Sequence, residues 1–136
     1  MSGTTLLSHL KHYLNKTEDD WNYITPLDYY NKYFLKNKKN ILIDLRKKQD
    51  FKKGHIKGAK NIYWLDILEK KNLDKLPTDK TIFLICYVGH TSSQVITLLK
   101  LLGYKVVSIK FGYGISPVQC VHVAGWNQYG LPTIKS

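Results

Sequence analysis

The sequence predicts an α/β domain: a central parallel sheet flanked by helices on both faces. Three observations carry that prediction. Short, predominantly apolar runs recur, as "ILIDL" at 41–45 and "TIFLIC" at 81–86. Runs of this length without polar alternation suit strands buried on both faces. Segments with helical spacing lie between them, the clearest being "SSQVITLLKLL" at 92–102. Strands and helices therefore alternate along the chain, which argues for parallel pairing through right-handed helical crossovers.

Each element has its own warrant. Residues 5–15, "TLLSHLKHYLN", place Leu6, Leu7, Leu10, Tyr13 and Leu14 on one helical face, expected to pack over the sheet or to make a homodimer contact. The polar stretch "KTEDD" ends that helix, so residues 1–19 are read as a helical extension and 20–136 as the domain. "WNYI" at 21–24 is a short strand. Thr25, Pro26 and Asp28 then form a helix start, with Thr25 as N-cap and Pro26 at the first helical position. That helix is expected to reach about Lys36, with Leu27, Tyr30 and Phe34 inward. The segment from Arg46 to Asn61 reads as a polar connection containing Gly54 and Gly58. "IYWL" at 62–65 reads as a strand that merges into a weak helix, and Pro77 marks a turn. Val95, Leu98, Leu99 and Leu102 form the inward face of the next helix, and Gly103 ends it. "YKVVSIK" at 104–110 is the last strand. The Gly-rich tail is expected to hold one short helix around Trp126.

Composition narrows the function classes. A chain of 136 residues with 43% hydrophobic content can bury one core. No apolar run approaches the roughly 18 residues that a membrane-crossing helix needs, and no signal peptide is read at the N-terminus, so the expected location is the cytoplasm. The two cysteines, Cys86 and Cys120, form no CxxC pair. This is neither a disulfide framework nor a zinc-finger pattern. The formal net charge of +11 raises nucleic acid as a partner. Its lysines are scattered, however, and Arg46 is the sole arginine. We read the charge as a solvated surface that favours small anionic substrates, with no nucleic-acid or membrane partner.

Chemistry concentrates in "CYVGHTSSQ" at 86–94. Cys86 ends a strand, and ligands of α/β sheets bind beyond such strand ends. Tyr87, Val88, Gly89, His90, Thr91 and Ser92 separate it from the following helix. Gly89 can adopt backbone angles closed to other residues, turning N–H groups inward as an anion nest. The helix N-terminus adds to the same field and favours a thiolate. Thr91 and Ser92 can cap the helix, and His90 is the loop residue able to carry positive charge. Against this stands a simpler reading: free cysteine is among the most buried residue types, and Cys86 could be a small hydrophobe ending a core strand.

Further segments tip the balance. "ILIDLR" (41–46), "GHIKGAKNI" (54–62), "GYGI" (112–115) and "AGWNQYGLP" (124–132) accompany the cysteine loop in order. Together they resemble the rhodanese-like sulfurtransferase family across residues 20 to 132. The resemblance implies five strands near 21–24, 41–45, 61–64, 81–86 and 105–109. It implies that Cys86 is the catalytic cysteine and that Cys86 to Thr91 is the active-site loop. Cys86 would take sulfane sulfur from a small anionic donor, thiosulfate or another persulfide. It would then pass that sulfur to a thiol, cyanide or a protein acceptor, without metal or cofactor. Asp44 and Arg46 match the family's strand-end pair and would brace the loop. Gly54, His55, Gly58 and Asn61 would shape a turn, and Trp21, Trp64 and Trp126 would be core or pocket wall.

The chain departs from the pattern in two places. Its loop holds no Arg or Lys to grip a sulfonate, leaving His90 as the nearest substitute, so thiosulfate is expected to be the poorer donor. The stretch "ISPVQCVHV" lengthens the last connection and contains Cys120, weighed as a resolving thiol against an ordinary buried cysteine. A cysteine phosphatase or arsenate reductase is disfavoured, because the loop lacks the arginine that would clamp an oxyanion. A non-enzymatic partner-binding or redox-sensing module is the remaining alternative.

Overall fold

The computed structural model describes residues 3–116, 118 and 123–136. Cys120 lies outside the described residues. Five parallel strands form one sheet: β1 (Tyr23–Ile24), β2 (Ile41–Asp44), β3 (Lys60–Asn61), β4 (Ile82–Ile85) and β5 (Val106–Ile109), in spatial order β1-β5-β4-β2-β3. The central register pairs Ile43 with Leu84, and Leu84 with Ser108. The helices are α1 (Gly3–Lys16), α2 (Pro26–Tyr29), α3 (Lys48–Lys53), α4 (Lys70–Leu73) and α5 (His90–Leu101).

Alternation of side chains across the sheet divides the core in two. Ile43, Leu45, Ile82, Leu84, Cys86 and Val106 face α5, packing on Val95, Ile96 and Leu99. Leu42, Phe83, Ile85 and Ile109 face the other way, onto Tyr29, Ile56, Tyr113 and Trp126. Cys86 therefore belongs to the α5 side by parity alone. Both faces of β2 and β4 are covered, which explains why these strands read as continuous apolar runs.

Several expectations need correction. The strand placed at 62–65 is two residues at Lys60–Asn61, followed by a 3₁₀ turn at Trp64–Asp66. The polar connection contains α3, which the lysine-rich composition hid; its single large apolar residue, Phe51, stacks on His55 at 3.7 Å. α2 gives way to a π turn at Tyr30–Phe34, and Tyr29 rather than Leu27 is its buried anchor. Thr25 does cap α2, accepting from the Asp28 N–H at 3.1 Å. On α5 the buried stripe is Val95, Ile96 and Leu99, while Leu98 and Leu102 are exposed. Trp126 is fully buried, but the segment around it consists of turns rather than a helix.

The N-terminal helix does not cover the sheet. α1 buries none of its residues, and Leu6, Leu7, Leu10 and Leu14 are all exposed. It is tied to α5 by polar contacts: Tyr13 donates to the Thr97 hydroxyl at 3.4 Å, and His9 lies 3.2 Å from the Leu101 carbonyl. Among the described residues no helix is long and apolar enough to cross a membrane.

Candidate active site

Cys86 stands just past the end of β4, and α5 begins at His90, sooner than expected. The turn between them is made by Gly89, at φ 97°, in the left-handed region that glycine enters without steric cost. Gly89, not Thr91 or Ser92, therefore occupies the N-cap position of α5. It turns its own N–H back onto the sulfur, 3.1 Å from Cys86 Sγ. The N–H of Ser92, in the first turn of α5, lies 3.4 Å from the same sulfur. Both are among the amides that a helix start leaves without intrahelical partners. The Cys86 thiol also reaches the Ser92 hydroxyl at 3.3 Å.

The sulfur sits deep. Cys86 is 1% exposed and packs within the α5-side core. The cysteine is buried, and yet neighbouring amides point at its sulfur rather than away. Val88 is buried, Thr91 is half-buried and His90 is exposed. Tyr87 faces away from the sulfur. Its hydroxyl donates to Asp50 at 2.5 Å and accepts from the Lys47 N–H at 3.2 Å, and burial, with Asp50 beside it, pushes its phenol up to about 12.

Beside the loop lies a cavity of about 260 Å³ whose wall includes Trp21, Tyr23, Gly89, His90, Lys110 and Phe111. Trp21, 64% exposed, is pocket wall rather than core. Lys110 supplies a cation on this side, from the end of β5 rather than from the loop. Among the described residues, no cluster of His, Cys, Asp or Glu is placed to hold a metal ion.

The backbone of the loop is held from the opposite face of the sheet. Tyr113 donates its N–H to the Cys86 carbonyl at 2.9 Å, and Gly114 donates to the Tyr87 carbonyl at 2.8 Å. This approach requires glycine at 112, where φ is 53° and any Cβ would overlap the Cys86 carbonyl. The Gln128 amide in turn donates to Gly114 O at 2.9 Å and accepts from Gly125 N–H at 3.0 Å.

Asp44 and Arg46 complete the support. Arg46 Nε and Nη2 lie 3.1 and 2.9 Å from the two Asp44 carboxylate oxygens, and Nη2 also donates to the Gly54 carbonyl at 2.7 Å. The pair is buried, with Asp44 at 0% and Arg46 at 7% exposure. A bidentate guanidinium–carboxylate pair is the geometry that tolerates such burial best. The guanidinium lies 3.7 Å over the Tyr113 ring. Asn61 ties β3 to the same strand end, donating to the Asp44 and Arg46 carbonyls. His55 lies away from the sulfur, its Nδ1 2.8 Å from the Phe51 carbonyl. Gly112, Tyr113 and Ser108 escaped the sequence reading of the site. Gly112 and Tyr113 left a signal in the motif "GYGI", though it pointed to no role at the site, and Ser108 left one as a hydroxyl inside the otherwise apolar strand "VVSI".

The fold and this site define an α/β domain in which a cysteine at a central strand end is cradled by the first amides of the following helix. The chain belongs to the rhodanese-like domain family, whose pattern it matches over residues 28–114. It is 37% identical over 70 residues to the tRNA sulfurtransferase of Pyrobaculum aerophilum, a match covering 52% of this chain and 14% of that protein. It is 33% identical over 85 residues to the adenylyltransferase and sulfurtransferase UBA4 of Meyerozyma guilliermondii, covering 57% of this chain and 20% of that one. The chain thus spans a fifth or less of either relative. The crystal structure of a rhodanese-related protein from Thermoplasma volcanium shares the fold, with a TM-score of 0.66 at 24% identity, over 85% of this chain and all of that one.

Proposed function

We propose that this chain is a sulfurtransferase or persulfide carrier acting through Cys86. The observation that carries the reading is the pair of inward amides, Gly89 N–H and Ser92 N–H, directed at the Cys86 sulfur. Fixed dipoles of this kind favour negative charge on or next to the sulfur without reorganising during reaction. Family membership and the sulfurtransferase names of its relatives support the same class.

The reaction balances with no further reagent. The Cys86 thiolate attacks the outer sulfur of a donor, thiosulfate or a persulfide. The donor's S–S bond breaks, and its electron pair leaves with sulfite or the donor thiolate. The resulting Cys86 persulfide is attacked at its outer sulfur by an acceptor thiolate, which departs as a persulfide and restores the Cys86 thiolate. A protein persulfide or low-molecular-weight persulfide suits the loop better than thiosulfate, since residues 87–91 hold no lysine or arginine to clamp a sulfonate.

Intact mass spectrometry after incubation with thiosulfate or a persulfide donor tests this directly. One added sulfur atom, lost in Cys86→Ser, is the expected result. The burial of Cys86 gives the alternative, a partner-binding or redox-sensing module, its one specific support. Absence of an adduct with every donor would favour that alternative.

A further inference from the structure

We infer that Ser108 is a positioning residue for the Cys86 sulfur, acting through Ser92 as a buried hydroxyl pair that gives the sulfur a third donor when it is anionic. The inference rests on the reading of Cys86 as the reactive thiolate. Ser108 lies on β5, outside the cysteine loop, and side-chain parity puts it on the α5 face with Val106 and Cys86. It is 0% exposed. A hydroxyl so placed is costly unless it is bonded. Its bond goes to Ser92 Oγ at 2.7 Å.

Ser92 is also 0% exposed, and its Oγ stands 3.3 Å from Cys86 Sγ and 3.3 Å from the Gly89 carbonyl. A hydroxyl has one proton and two lone pairs. Ser108 fills one lone pair in either state of the sulfur. With a neutral thiol, the S–H donates to the second lone pair and the Ser92 proton goes to the Gly89 carbonyl. When the sulfur is a thiolate, that S–H is gone, and rotation of the Ser92 O–H toward Sγ supplies a charge-assisted bond. The Gly89 carbonyl loses little, because it also accepts from Ser93 Oγ at 2.6 Å and from the Ser93 N–H at 3.2 Å. Ser108 holds the Ser92 oxygen in place throughout. The donors on the sulfur thus rise from two amides to two amides and a hydroxyl. The same state recurs when the Cys86 thiolate leaves at the end of transfer.

Removing Ser108 strands no hydrogen-bond partner, since Ser92 keeps its contacts with Cys86 and Gly89, so Ser108→Ala should fold. The readout is the rate of Cys86 alkylation by iodoacetamide against pH, followed on the Cys86 peptide by mass spectrometry. Ser108→Ala is expected to shift the profile to higher pH and slow alkylation at pH 7 by about three- to tenfold, the worth of one ordinary intramolecular hydrogen bond. Ser92→Ala should do the same. The double variant should match Ser92→Ala alone, because Ser108 acts only through Ser92. Ser108→Thr, which keeps the hydroxyl, should restore the profile. An unmoved profile, or effects that add in the double variant, would overturn the assignment. No sulfur donor enters this assay. Coupled hydroxyls with no persulfide formation would therefore sink sulfur transfer alone, and persulfide formation with independent serines would sink the pairing alone.

Discussion

The guanidinium of Arg46 lies 3.7 Å above the ring of Tyr113, and Tyr113 donates its backbone N–H to the carbonyl of Cys86. The buried ion pair on one face of the sheet is thereby connected to the cysteine on the other, through one ring and one peptide. Asp44 and Arg46 never touch the sulfur; they fix the backbone from which it hangs.

Asp44→Ala should therefore be severe. It leaves a guanidinium uncompensated in a buried site, which costs about 3–5 kcal/mol. Urea denaturation should show that loss. Arg46→Lys should also destabilise, since a lysine can reproduce neither the two-pronged contact nor the stacking on Tyr113.

Gly112→Ala meets a different obstacle. The added carbon would overlap the Cys86 carbonyl, and φ of 53° is strained for any side chain. The expected outcome is lost transfer activity with the Tyr113–Cys86 contact displaced, read as a new environment for Cys86 in its alkylation kinetics. Wild-type kinetics in Gly112→Ala would contradict the close approach described above.

Charge beside the loop should tune an anionic donor. Lys110→Gln is expected to raise the thiosulfate KM by up to about fivefold, the range of an exposed ionic contact, with the difference fading as salt is added. His90→Ala should act in the same direction. Neither residue is buried, so melting temperatures should stay near that of the wild type.

At alkaline pH, three tyrosines should limit stability, with burial pushing Tyr113 up furthest. Burial pushes Tyr29 up to about 12, and Tyr87 likewise to about 12. In the unfolded chain they release their protons near the ordinary value of 10.0. Between pH 10 and 12 the folded state thus binds more protons than the unfolded state, and stability falls as pH rises. Below pH 10 this contribution is fully present. Absorbance titration at 295 nm should show late-ionising tyrosines, fewer by one in Tyr29→Phe.

Deleting residues 1–16 tests the proposed boundary at residue 19. α1 buries none of its residues, so the shortened chain should keep one cooperative unfolding transition. Loss of that transition would make α1 part of the domain.

Much of this fold was legible because β2 and β4 are covered on both faces and so carry predominantly apolar runs without polar alternation. The loop was legible for a related reason: a cysteine ending such a run, followed three residues later by glycine, is local information. α3 was not legible, because Phe51 is its one large apolar contact amid lysines. The leucines of α1 misled for the converse reason. Their spacing marks a helical face truly, but periodicity carries no information about whether anything covers that face. Gly112, Tyr113 and Ser108 matter through contacts with residues 16 to 27 positions away in sequence, and the local patterns that contain them, "GYGI" and "VVSI", do not announce those contacts.

The edges of the sheet carry a last consequence. β1 and β3 are its outermost strands, and each is two residues long. So short a rim offers almost no row of free peptide groups for another chain to zip onto, a feature that guards against end-to-end fibre growth. A protein partner of this chain would therefore read its loops and side chains rather than extend its ribbon.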